Sequence, residues 1–203
     1  MCGRYFIDDA ETTAEMRKIF NEINQRYHNT NLSVVLKTGE IFPTDRAPVL
    51  INEQKNVQPV LMTWGYPAWH GSGVVINARA ETAAEKPMFR ASIPQRRCII
   101  PSSGFFEWSH GKDHPKTKFL FKQNSSGMLY MAGLYSIFTD QDGTKHAAYV
   151  ILTANANASV SPIHDRMPLI VAPDLSERWL QDEEYARSML SAPCLAEMTA
   201  VQV

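Results

Sequence analysis

Apolar positions along this chain follow two periods. Over residues 12–27 they recur at helical spacing, with Met16, Ile19, Phe20, Ile23 and Tyr27 on one face and Thr12 and Glu15 at capping-box spacing ahead of them. Beyond this helix the pattern turns into short apolar or alternating runs at 57–64, 74–76, 97–100, 104–108, 117–123, 129–138 and 146–153. Gly, Pro, Asn or Asp punctuates these runs, as it does strands. A second helix is expected from Asp174, with Leu175, Trp179, Leu180 and Tyr185 on its apolar side, and Ser191-Ala192-Pro193 opens a short helical tail. No repeat or linker interrupts the sequence. The pattern predicts one α+β domain over residues 1–203, with a curved, barrel-like, mostly antiparallel β-core and peripheral helices.

Composition narrows the picture. At 203 residues and 44% hydrophobic, the chain can bury a substantial core. Its three cysteines are widely spaced and odd in number, so they make neither a disulfide framework nor a metal-ligand cluster, and a reducing compartment is expected. No run of roughly 18 apolar residues and no leader-like N-terminus is present, which makes the cytoplasm the expected location. A net charge of −1 argues against nonspecific coating of nucleic acid but allows a compact basic groove. Arg4, Arg79, Arg90, Arg96, Arg97 and Arg166 are the candidates to line it.

Candidate chemistry starts at Met1-Cys2-Gly3-Arg4. Removing Met1 leaves an N-terminal cysteine whose α-amine, with a pKa of about 8, and thiol, of about 8.5, are both nucleophiles near neutrality. Such a 1,2-aminothiol attacks an aldehyde twice, amine first and thiol second, closing a thiazolidine, or it attacks an amide carbonyl. Asn77-Ala78-Arg79-Ala80-Glu81-Thr82 follows an apolar strand, where Asn77 either caps a helix or serves a site at the sheet's end. In Gly104-Phe105-Phe106-Glu107-Trp108, strand alternation sets Glu107 on the face of Phe105, a setting that raises a carboxyl pKa; the other reading pairs Glu107 with an arginine at a sheet edge. Thr153 ends a strand, positioned for a phosphate or a helix cap. His164 stands in a compact polar cluster, Ile163-His164-Asp165-Arg166-Met167-Pro168. The other histidines, His28, His70, His110, His114 and His146, read as surface. Cys98 reads as inert core packing, Trp64 as a core anchor, and Trp69 as an exposed ring suited to stacking on an unpaired base.

Cys2-Gly3-Arg4-Tyr5, Trp64-Gly65-Tyr66-Pro67, Asn77 to Thr82, Arg97-Cys98-Ile99-Ile100-Pro101, Gly104 to Trp108, Ala132-Gly133-Leu134-Tyr135 and His164 to Pro168 together resemble the SRAP (SOS response-associated peptidase) family. The resemblance implies a β-barrel-like core and recognition of abasic sites in single-stranded DNA. It also implies a stable covalent crosslink that shields the lesion, and autocatalytic removal of Met1. Carried over, it makes Cys2 the crosslinking nucleophile and places Asn77, Glu107 and His164 around it. Arg4, Arg79 and Arg166 are then expected on flanking phosphates, with Pro43, Trp69 and Thr153 completing the DNA-binding set. The expected partner is abasic single-stranded DNA, which draws the protein to the nucleoid; a monomer with no metal, cofactor or obligate protein partner is expected. A weak strand-cleaving lyase activity is a corollary of imine formation.

Two departures stand out. Glu40 lies where the family has Asn before the matching Pro43, and the sequence ends at Val203 where many members continue, so altered DNA contacts are expected at both places. An N-terminal-nucleophile amidohydrolase of the glutamine amidotransferase type also starts Met-Cys-Gly, but leaves the motifs at Glu107 and His164 without a role. A noncatalytic single-strand binding module and a dedicated protease are the remaining alternatives. An adduct that survives denaturation separates covalent capture from plain binding.

Overall fold

The protein enters as β1 (Arg4–Ile7) and then forms α1 (Ala14–Tyr27) where helical spacing predicts it. The structure, a computed structural model, describes residues 2–8, 13–28, 36–68, 71–109, 116–123 and 127–203. Thr13 caps α1 through its hydroxyl, which accepts the Met16 N–H at 3.3 Å; the expected cap, Thr12, lies outside the described residues. Met16, Ile19, Phe20 and Ile23 are buried, as the apolar stripe requires.

Next come β2 (Gly39–Ile41), β3 (Arg46–Glu53), β4 (Asn56–Trp64), β5 (Tyr66–Pro67), β6 (Val74–Val75) and β7 (Asn77–Arg79), then the short helices α2 (Ala80–Ala83) and α3 (Pro87–Arg90). The expected run at 74–76 resolves into β6 and, after a break at Ile76, β7. The central strands are β8 (Arg97–Ser102), β9 (Gly104–Trp108), β10 (Lys118–Gln123), β11 (Leu129–Thr139) and β12 (Lys145–Asn155). The short β13 (Arg166–Pro168) and β14 (Ile170–Val171) precede a 3-10 turn, α4 (Ser176–Gln181), α5 (Glu183–Ser191) and β15 (Met198–Gln202).

Five strands close on themselves. β4 pairs with β3, β3 with β8, β8 with β11 and β11 with β12, all antiparallel, and β12 returns to β4 in parallel through Tyr149 and Trp64. The expected barrel-like, mostly antiparallel core in a single α+β domain is therefore present. So narrow a barrel needs space at its wall, and Gly133 of β11 supplies it. A Cβ there would lie 2.8 Å from the Val150 carbonyl oxygen, 2.9 Å from Cys98 Sγ and closer still to Ile100. Gly133→Ala is accordingly expected to destabilise the fold by about 3 kcal/mol through overpacking. In a chain of this size that is a fall in Tm of roughly 10 °C, read by thermal unfolding.

Beside the barrel, a second sheet runs in the order β15-β10-β9-β1-β2. Two expectations from the sequence are corrected near the C-terminus. The helix expected from Asp174 is broken at Asp182, whose carboxylate accepts the Tyr185 N–H at 2.9 Å and so starts α5 afresh. The expected helical tail is instead β15, which pairs antiparallel with β10 from Met198 opposite Gln123 to Gln202 opposite Phe119. Among the described residues no helix is long and apolar enough to cross a membrane.

Candidate functional site

The four candidate catalytic residues come from two layers. Cys2 leads into β1, whose Arg4 pairs with Phe106 of β9, so the segment before Arg4 runs beside Glu107 and Trp108. Asn77 and His164 belong to the barrel side: β7 pairs in parallel with β12 at Asn77 and Ile151, and His164 sits just ahead of β13, which pairs with the end of the same strand. Their meeting at the seam follows from pairings between strands distant in the chain, Arg4 with Phe106 and Asn77 with Ile151, not from local signals.

Alternation in β9 works as the sequence predicts: Phe105 is wholly buried and Glu107 is only 3% exposed. Cys2 is fully buried, with Sγ 3.6 Å from the Arg4 carbonyl oxygen. Asn77 does not cap the helix behind it, whose N-terminus has no side-chain cap. Its amide nitrogen donates to the Cys2 carbonyl at 2.8 Å, and its buried Oδ1 has no hydrogen-bond partner among the described residues. Asn77 thus fixes the backbone from which both the amine and the thiol of Cys2 project.

His164 Nε2 approaches Glu107 Oε2 to 3.6 Å. On the other side of the ring, Nδ1 faces the Arg166 N–H at 3.0 Å, the Arg166 carbonyl oxygen at 3.1 Å and Asp165 Oδ1 at 3.2 Å, which leaves Nε2 directed towards Glu107. Burial raises the Glu107 carboxyl to about 7, and the neighbouring Asp165 adds to the rise. Burial also drives the Cys2 thiol well above its ordinary range, with the Glu107 charge acting in the same direction. The thiol is therefore held as S–H at neutral pH. Glu107, by contrast, is poised to take and return a proton.

The remaining expected site residues fall into three groups. Arg79 is exposed at the mouth of a depression of about 450 Å³, whose lining runs from Asn77 past Lys86 to Val75, Met88 and the buried Phe89. The Arg4 guanidinium sits 4.2 Å over the ring of Phe42, the residue before Pro43, and 5.3 Å from that of Trp108. Glu40, the departure from the family pattern, accepts from Lys118 at 2.5 Å and from Arg4 at 2.9 Å, and these bonds, the Lys118 one foremost, hold its carboxyl below the usual range. Arg4 is thus partly neutralised here.

Thr153 and Arg166 form the third group, and both are buried. Arg166 donates to both Glu81 oxygens, to Asn155 and to the Thr153 carbonyl, so in this structure neither residue presents itself to a phosphate. Trp69 lies outside the described residues, as do His70, His110 and His114. Arg97, read as a groove arginine, is buried and donates to the carbonyls of Ile93, Pro94, Trp179 and Leu180; it clamps the end of α4 onto the barrel. Cys98 and Trp64 are core residues, as expected. Sequence reasoning missed Glu81 as a functional candidate. Its only signal was a place in the same short motif as Asn77 and Arg79.

The profile described as SOS response associated peptidase (SRAP) matches residues 1–203. The abasic site processing protein YoqW of Bacillus subtilis is 31% identical over 218 aligned residues, covering 100% of this chain and 92% of that protein. The abasic site processing protein YedK of Escherichia coli is 32% identical over 133 residues, covering 65% and 58%. HMCES of Xenopus tropicalis, another abasic site processing protein, is 25% identical over 173 residues, covering 68% and 52%. A crystal structure of a protein from Bacteroides thetaiotaomicron superposes with a TM-score of 0.80 at 26% identity, covering 100% of this chain and 92% of that one.

Proposed function

The chain belongs to the SOS response-associated peptidase family, and from that membership we propose that it captures abasic sites in single-stranded DNA as a covalent adduct of Cys2. The carrying observation is the grouping of an aminothiol residue, a carboxyl titrating near 7 and an imidazole 3.6 Å from that carboxyl. The relatives' own name, abasic site processing protein, supports the substrate.

Removal of Met1 frees the α-amine, which adds to the aldehyde of the ring-opened sugar to give a carbinolamine. Glu107 as an acid gives its proton to the departing hydroxyl, water leaves, and an iminium forms beside the new carboxylate. That carboxylate then takes the thiol proton as sulfur bonds to the iminium carbon, closing the thiazolidine and restoring the acid. A thiol held as S–H fits this order, in which the amine acts first. Asn77 keeps amine and sulfur on the correct side of the backbone, and His164 supplies the proton that opens the sugar ring or hydrolyses the imine in reverse. A lyase side reaction follows from the same iminium, which acidifies the carbon next to the 3′-phosphate. Arg79 at the depression's mouth and Arg4 on the sheet face are the cations placed for flanking phosphates, and Pro43 and Trp69 belong to the same proposed surface. Thr153 and Arg166 join it only if Arg166 exchanges Glu81 for a phosphate. Removal of Met1 would use the same acid and base against the Met1–Cys2 amide.

Intact-mass spectrometry before and after incubation with an oligonucleotide carrying one abasic site tests this reading. The expected result is loss of Met1, then a mass gain equal to the oligonucleotide less one water. A processed protein that gains no mass would redirect the reading to amide hydrolysis by Cys2, or to binding alone.

A further inference from the structure

We propose that Glu81 is a positioning residue for His164, acting through the side chain of Arg166. This rests on the role given to His164 above. Glu81 is on α2 and His164 precedes β13, so the two share no element. Arg166 joins them. Its guanidinium meets Glu81 with two bonds, of 2.5 and 2.9 Å, and also reaches Asn155 Oδ1 at 2.5 Å and the Thr153 carbonyl at 2.6 Å. Its backbone brackets the imidazole: the Arg166 N–H lies 3.0 Å from His164 Nδ1 and the Arg166 carbonyl oxygen 3.1 Å from the same atom.

These bonds run in one sense. Planar, two-point pairing with a carboxylate fixes the direction as well as the distance of a guanidinium. Fixing that group, whose side chain is only 11% exposed, fixes the Arg166 backbone. The ring held by that backbone keeps Nε2 facing Glu107. Glu81 itself is 39% exposed and touches none of the proposed reacting atoms in the contacts described, so its effect on them travels through Arg166. The Arg166 pairing pulls the Glu81 carboxyl below its usual range, which keeps the clamp charged at neutral pH.

The test is a double-mutant cycle on the full chain, read as rates of adduct formation and reversal at saturating abasic oligonucleotide. Glu81→Ala should slow whichever step His164→Ala slows, by about 10- to 100-fold, the range expected from a small misplacement of a reacting group. In the His164→Ala background it should have no further effect. Independent, multiplying losses would overturn the proposal. Glu81→Gln, which keeps one acceptor for Arg166, should recover part of the rate, and thermal unfolding of each variant identifies any that fails to fold. Imidazole nitrogen NMR needs no DNA: His164 resonances should move in Glu81→Gln while those of His146 stay. Unmoved His164 resonances in the folded variant would overturn the proposal even if the wild-type protein formed no adduct, an outcome that would by itself count against covalent capture alone.

Discussion

Cys2→Ala is expected to lower the yield of denaturation-resistant adduct with an abasic oligonucleotide at least about hundredfold, because an amine without the adjacent thiol stops at an imine that water reverses. The α-amine of the processed variant remains, so borohydride reduction should still trap a conjugate of the expected mass. That contrast assigns sulfur to the closing step and nitrogen to the opening one. The fold should survive, since the change removes one buried sulfur from a site where Asn77 bonds the backbone and not the thiol. A full yield of resistant adduct from Cys2→Ala without reductant would refute the thiazolidine. Thermal unfolding beside the wild-type protein checks that any loss is chemical.

Glu107→Gln is expected to slow crosslinking by about 10²- to 10⁴-fold, the usual worth of a positioned acid and base, while leaving affinity for intact single strands nearly unchanged. The pH dependence gives the sharper signature. Capture needs a neutral amine, whose fraction rises up to a pKa of about 8. It also needs a protonated Glu107, whose fraction falls as pH rises through about 7. The wild-type rate should therefore climb with pH until about 7, run level, and decline above about 8, with limits belonging jointly to the interacting groups. In the glutamine variant no acid is lost as pH rises, so the slower rate should climb to a plateau and stay there. A decline above pH 8 that persists in Glu107→Gln would remove the proton-transfer role from this residue. Equal losses in rate and in DNA binding would point to misfolding.

Much of the fold could be read from local pattern because alternation and punctuation are local. β9 falls on the expected 104–108, and β10, β11 and β12 differ from their expected limits by at most two residues. β3 escaped notice, with Pro48 inside it. The strand accommodates the proline because β8 pairs with β3 only at Leu50 and Ile51, so Pro48 lies beyond that ladder. β15 was missed for another reason: Ser191-Ala192-Pro193 is a sound helix start, and only the edge of β10 draws the tail into a sheet.

For the site, residue types and turn-rich settings marked Cys2, Asn77, Glu107 and His164 as candidates with structural readings still open, and the family resemblance is what grouped them. Alternation set Glu107 on the face of Phe105 but left open a pairing with an arginine at a sheet edge, and the structure decides for burial. Which arginines face outward was not decided by pattern. Arg79 is exposed, whereas Arg97 is spent on four carbonyls and Arg166 on Glu81. A guanidinium looks the same in sequence whether its partner is solvent, a carbonyl or a carboxylate.

The sequence by itself determined the strand-rich α+β class, the core helix face and the chemical types of the candidate site residues, since these depend on side-chain type and on spacing of a few residues. Tertiary structure alone decided the closure of the barrel through the parallel pairing of β4 and β12 and the meeting of Cys2 with Asn77. It also decided the approach of His164 to Glu107 and the commitment of Arg166 to Glu81. The reason is physical. Proton affinity and hydrogen-bond direction are set by what packs within a few ångströms, and in this fold those neighbours come from strands distant in the chain.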